Sequence, residues 1–167
     1  MGSLMDPERD DDLTAHSDHS FSRMVPGIII LMDLDGFKEY TMSRGLDQYT
    51  PNLVTGELTR LVESFAIKYN GVIVYGLDYE RGTEEALIEI PFGCEQVSRI
   101  IEDLRMIKEI INTMGVGITI VVIGDYVIAR PARDRREAYF ATLGRKKAVR
   151  IIKRLKKKGG NTIYVEC

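Results

Sequence analysis

The side chains able to do chemistry are few and unevenly spread along this chain. Both histidines, His16 and His19, fall in the first 24 residues, ahead of any patterned segment. Ser–His, Cys–His and His-ligated zinc chemistry are therefore not expected in the folded part. Cys94 and Cys167 are single and distant in sequence, with neither metal-ligand spacing nor a disulfide framework. That usage predicts a reducing compartment and a cytoplasmic protein. What remains for chemistry is carboxylates, Lys and Arg, with or without a metal ion. The most prominent carboxylates are Asp33 and Asp35, which close the apolar run PGIIILMDLD. A short β-branched run of this kind reads as a buried central strand, so two acids are delivered where it ends. Capping of a following helix is the alternative role for both.

Charge is partitioned far more sharply than the formal net value of −2 suggests. Residues 1–24 carry six acids against two bases, and residues 25–128 carry sixteen against eight. Residues 129–158 reverse the balance with thirteen bases against Asp134 and Glu137. The middle of the chain could bind cations and the basic segment phosphate, so a site needing both would lie where they meet. Solvation of a helix face is the plainer reading of any one of these bases.

The elements that must position these groups follow from pattern. The first 24 residues, polar and acidic, read as a disordered tail. Residues 25–167 form a single domain, consistent with 167 residues of which 44% are hydrophobic. No apolar run approaches the roughly 20 residues that a membrane helix needs, so no membrane partner is expected. After the first strand, a helical stretch from about Phe37 to Tyr69 is split by Gly45, Pro51 and Gly56, with Thr50 as the expected N-cap of the second helix. NGVIVYGLDYERGTEEALIEIP reads as two strands turning either at Gly76–Tyr79 or at Arg81–Glu84. Helical spacing of Val97, Ile100, Ile101, Leu104, Ile107, Ile110 and Ile111 predicts a packed helix ended by Gly115. GVGITIVVIGDYVIA is a further strand with a short extension beyond Gly124. Residues 134–158 are a long basic helix, interrupted or bent near Gly144, and NTIYVEC is a closing strand. The order β-α-α-β-β-α-β-α-β predicts an α+β fold, an α/β sandwich. Its centre is a ferredoxin-like β-α-β-β-α-β core with an extra helix after the first strand and a helix–strand added at the end, about five strands in all.

Three fragments in this order resemble the GGDEF nucleotidyl cyclases and the wider polymerase-palm superfamily, which includes archaeal GTP cyclohydrolase III and the CRISPR polymerase palms. MDLDGFKEY, Met32 to Tyr40, is similar to the D-x-D-x-F-K signature closing the family's first strand. YGLDYE, Tyr75 to Glu80, occupies the position of the Y-G-G-D/E-E-F turn. AVRIIKRLKKKGGNTIYV, Ala148 to Val165, resembles the closing A-D-x-A-L-Y-x-A-K-x-x-G-R-N-x-V motif. The resemblance implies Mg²⁺ or Mn²⁺ held by Asp33, Asp78 and the Leu34 carbonyl. It also implies a nucleoside triphosphate held by the backbone of Gly36 and Phe37 and by Lys38 and Lys156, and possible homodimers with one nucleotide per subunit. Displacement at a triphosphate needs cations that neutralise the leaving group, and hard Mg²⁺ takes one or two protein carboxylates plus phosphate oxygens. Against these roles stand plainer ones: Asp78 as a turn aspartate, Phe37 as a core aromatic, Lys38 and Lys156 as surface charge.

The same comparison marks departures. Leu77 replaces the second glycine of the turn and Tyr79 the following carboxylate, while Thr41 and Thr50 stand where the cyclases read guanine, and Gly160 replaces an arginine. Diguanylate cyclase activity and guanine specificity are therefore not expected. Three readings remain: a Mg²⁺-dependent enzyme acting on a nucleoside triphosphate, a degenerate domain regulating through a nucleotide or a protein, and a nucleic-acid-binding module. The last is the least favoured, because no clear base-stacking motif accompanies the basic segment.

Overall fold

In a computed structural model the described residues are 23–47 and 50–167. The reading of residues 1–24 as a tail falls, apart from Arg23 and Met24, outside them. The elements are β1 (Val25–Asp35), α1 (Phe37–Ser43), α2 (Leu53–Lys68), β2 (Val72–Tyr75), β3 (Glu85–Pro91), α3 (Val97–Thr113), β4 (Gly117–Val127), α4 (Arg135–Phe140), α5 (Leu143–Lys157) and β5 (Ile163–Glu166), with a 3-10 turn at Gly93–Gln96. The sheet order is β2-β3-β1-β4-β5. The first four strands are mutually antiparallel, which is the ferredoxin-like arrangement, and β5 joins β4 in parallel. Among the described residues no helix is long and apolar enough to cross a membrane.

β1 is central because it can be buried on both sides. Ile28, Ile30, Met32 and Leu34 point to a layer completed by α2 and α3, while Ile29 and Leu31 point to one completed by α4 and α5. Strand side chains alternate between faces, so Asp33 and Asp35 continue the second set and face α4 and α5. Glu85 and Glu89 of β3 share the parity of Leu87 and lie on that face too. The first layer is packed mainly by apolar side chains, with Ile100, Leu104, Ile107 and Ile111 of α3 at the expected helical spacing. The second carries charge within it.

The core of that charge is one ion pair. Arg145 Nε donates to Glu89 Oε1 at 3.0 Å, a second guanidinium nitrogen meets the same oxygen, and a third reaches the Glu137 carbonyl at 3.4 Å. Arg145 is 2% exposed and Glu89 is fully buried, with Glu89 Oε2 left without a partner. Two desolvated charges need each other: removing either strands the other in a low-dielectric layer.

Four local expectations are corrected by the structure. The N-cap of α2 is Asn52, not Thr50: its side chain accepts from Val54 and Thr55, while the Thr55 hydroxyl accepts from the Asn52 N–H. Pro51 lacks an N–H and lies outside this reciprocal capping box. The β2–β3 connection is the whole segment 76–84, because both proposed turns belong to one wide loop. β4 runs unbroken through Gly124, paired on both sides. The long basic helix is two helices, capped separately by Asp134 and Thr142, so the break falls at 141–142 rather than at Gly144.

Arg145→Met alone is expected to destabilise the protein by about 3–5 kcal/mol, and the double variant Glu89→Leu with Arg145→Met to recover most of that loss. Equilibrium urea unfolding measures both, and equal losses in the single and double variants would contradict the buried-pair account.

Candidate functional site

The end of β1 gathers the charged groups. Lys156, in the last turn of α5, places its ammonium 2.8 Å from the Leu34 carbonyl, 3.0 Å from Asp33 Oδ2 and 3.2 Å from Asp35 Oδ1. The structure thus brings together Asp33, Leu34 and Lys156 of the expected site residues. The Leu34 side chain is buried in the α2/α3 layer, so only its backbone oxygen faces the cluster. α5 lies across the strand end because Ala148, Val149, Ile151 and Ile152 pack on the sheet, which directs Lys156 to the acids.

Asp35 is committed to structure. Its carboxylate accepts from the Thr119 hydroxyl at 2.8 and 2.9 Å and from the Asn161 N–H at 2.7 Å. Gly160 and Asn161 both have positive φ, which turns the chain back toward Asp35 after α5. A Cβ at Gly160 would stand 2.7 Å from Asp35 Oδ1. Gly160 is therefore demanded by both conformation and space. Asp35 fastens β5 to the centre of the sheet.

Asp33 is the less satisfied acid. Burial pushes its carboxyl above the ordinary value of 3.8; Lys156 opposes that shift, while Glu85 and Asp35 reinforce it. Glu85 is its cross-strand partner and is itself paired with Arg135 at 3.1 Å and with the Tyr139 hydroxyl. Tyr139 is pushed far above its usual range by burial and by Glu85. The Glu84 carboxyl is also raised, by burial and by Asp33 and Glu85. Glu84 and Glu85 escaped the sequence reading; the signal was the acidic pair opening β3, which antiparallel pairing sets against the end of β1.

Asp78 stands differently. Its Oδ1 accepts from the N–H groups of Glu80 and Arg81, both at 2.9 Å, an aspartate turn closed on its own loop. The loop is tied to α2 through Thr83, whose buried hydroxyl meets that of Thr59 at 2.8 Å, and through the Thr83 N–H to the Thr55 carbonyl. Asp78 shares a cleft of about 240 Å³ with Tyr75, Gly76, Arg81, Glu84 and Glu85. Gly76 has φ +104°, and a Cβ there would lie 2.0 Å from the Glu85 carbonyl, so the first glycine of the turn is obligatory. Leu77 packs against the α2/α3 layer, and exposed Tyr79 is paired with Glu63.

The remaining expected residues divide. Phe37 is a core aromatic stacked on Tyr40, with centroids 6.2 Å apart. Gly36 is the left-handed N-cap of α1 without a side-chain cap. Lys38 is exposed on the first turn of α1. Buried Thr41 donates to the Lys38 carbonyl at 2.9 Å, which leaves its hydroxyl committed to the helix rather than to a base.

What the arrangement can do is hold a hard cation: two carboxylates and a carbonyl already surround the Lys156 ammonium. Among the described residues no three His, Cys, Asp or Glu side chains form a metal cage. A Mg²⁺ that draws several ligands from phosphate and water needs fewer.

Because the folded value of Asp33 is raised, the folded chain holds its proton more tightly than the unfolded one. The resulting stability is fully present below the unfolded value and is lost as pH rises through the folded value. Asp33→Asn is expected to remove this decline, and Lys156→Met to raise the Asp33 value further by removing the one cation that lowers it. Carboxyl carbon NMR titration with parallel unfolding curves measures both, and an Asp33 titration unmoved in Lys156→Met would contradict the coupling. No protein-family model matches this chain, and no curated protein matches it.

Proposed function

We infer that this chain is a nucleoside-triphosphate-binding domain of GGDEF-like type that takes its nucleotide with Mg²⁺ or Mn²⁺ at the end of β1. The carrying observation is the seat of the Lys156 ammonium on Leu34 O, Asp33 and Asp35: an oxygen cradle of the hard kind, occupied by a cationic group that only partly neutralises Asp33. Asp33 and the Leu34 carbonyl are the metal-side ligands in this reading, and Lys156 and Lys38 answer the phosphates. When bound, the metal would neutralise the triphosphate and orient the attacking oxygen. The third oxygen ligand comes from the cleft that Asp78 shares with Glu84 and Glu85. Asp78 is the ligand implied by the resemblance, while Glu84 has the electrostatic link to Asp33. The chemistry open to such a site is nucleotidyl cyclisation, nucleotidyl transfer or triphosphate hydrolysis.

A second reading has its own support: a degenerate domain that binds a nucleotide or a protein as a regulator. Lys156 satisfies the acids without a metal, and Tyr79 stands where the resembling enzymes carry a carboxylate. A nucleic-acid module receives less support, because helices cover both faces of the sheet and Tyr75 packs edge-on against Tyr139.

Calorimetric titration with ATP, GTP, CTP and UTP in the presence of Mg²⁺ tests the reading. Binding of at least one is expected, weakened about tenfold or more, or about 1.4 kcal/mol, by Asp33→Asn. Lys156→Met is expected to weaken triphosphate binding while strengthening binding of Mn²⁺ alone, because the ammonium no longer competes for the cradle. Absence of heat with every nucleotide would end the nucleotide reading. Binding without turnover would select the regulator.

A further inference from the structure

The two cysteines, so distant in sequence, meet at the opposite end of the sheet from the acidic cluster. Cys94 is the second residue of the 3-10 turn after β3, and Cys167 follows the last residue of β5. Their sulfurs are 4.0 Å apart, both residues are exposed, and the Cys94 thiol points to the Gly27 carbonyl at 3.8 Å. The slot between them exists because residue 124 has no side chain: a Cβ on Gly124 would lie 3.2 Å from Cys167 Sγ and 3.5 Å from Cys94 Sγ. Gly124 pairs with Ile28 of β1, so the floor of the slot is the middle of the sheet and cannot readily give way.

We propose that Cys94 and Cys167 are an oxidation site, forming a reversible intramolecular disulfide that staples the C-terminal end of β5 to the 3-10 turn. Thiols in van der Waals contact need only side-chain rotation to reach bonding distance. The oxidant is a low-molecular-weight disulfide. The Cys94 thiolate attacks one of its sulfurs, breaks that S–S bond and expels one thiolate. The Cys167 thiolate then attacks the Cys94 sulfur of the mixed disulfide and expels the second thiolate. The protein loses two protons and two electrons, and the small disulfide becomes two thiols. Burial and the neighbouring Cys94 push the Cys167 thiol up to about 11, so it keeps its proton longer than an ordinary thiol.

The staple would act on more than the chain end. β5 is held at its start by the Asn161 N–H on Asp35, in its run by the parallel ladder to β4, and near its end by Lys147 on Glu166 at 2.6 Å. Fastening the far end leaves β5 closed at both ends, one of them at the acidic cluster.

The test is equilibration of the full chain in glutathione redox buffers, with thiol counting, intact mass and peptide mapping. Loss of both thiols in one two-electron transition is expected, with a Cys94–Cys167 cross-link, no retained glutathione and no change in oligomeric state. Cys94→Ser and Cys167→Ser should each retain a glutathione adduct on the remaining cysteine. Backbone amide exchange over Ile163–Glu166 should slow at least about tenfold in the oxidised protein. Persistent glutathione adducts on the unaltered chain, cross-linked dimers, or two thiols surviving in oxidising buffer would each overturn the site; unchanged exchange in the cross-linked protein would overturn the staple.

Discussion

One electrostatic match organises this molecule: the sheet face that carries Asp33, Asp35, Glu85 and Glu89 is covered by the two helices richest in Lys and Arg. Lys156 answers Asp33 and Asp35, Arg135 answers Glu85, and Arg145 answers Glu89. The opposite face, packed by α2 and α3, is apolar between its layers. Exchanging the helix pairs between faces would bury acids against hydrocarbon and strip basic side chains of their partners, each at a cost of several kcal/mol per unpaired buried ion. The segregation of charge along the chain therefore specifies which helix covers which face, a choice that hydrophobic periodicity alone leaves open.

The graded depth of these pairs separates structural from chemical roles. Glu89 and Arg145 are buried within the layer. Asp35, further along, is saturated by Thr119, Asn161 and Lys156. Asp33, at the rim, is a third exposed and retains an unfavourable field from Glu85 and Asp35 that Lys156 only partly offsets. A site that recruits a cation needs such an acid: close enough to solvent to be reached and insufficiently neutralised by its own protein. The same strand thus supplies a fastening and a candidate ligand two residues apart, on one face, at different depths.

The elements were largely legible before folding, because their periodicities are local. β1, α3 and the apolar side of α5 follow directly from the spacing of their aliphatic residues; Asp33 and Asp35 were singled out by type and position, Leu34 and Lys156 by the resemblance alone. The failures concern hydrogen bonds that periodicity does not carry, some made by local caps and some across the fold. The wide 76–84 loop is set by Thr83 on Thr55 and Thr59 of α2, which no turn propensity contains. The break before α5 depends on the Thr142 side-chain oxygen accepting from the N–H of Arg145, a residue whose guanidinium must reach Glu89. Glu84 and Glu85 became neighbours of Asp33 only through strand register.

By itself the amino-acid sequence determined the element order, the burial of β1 on both faces, and the absence of histidine from the patterned part, which left its chemistry to carboxylates, Lys and Arg. These depend on residue type and on periods of two and 3.6, which each short segment carries alone. Only the tertiary structure decided which acids share a field, that the Lys156 ammonium rests in the oxygen cradle of Asp33, Leu34 and Asp35, and that Cys94 and Cys167 lie across Gly124. Those are distances between segments far apart in the chain, set by sheet register and by the seating of α5. The opposed charge blocks announced that a meeting would occur, and packing chose where.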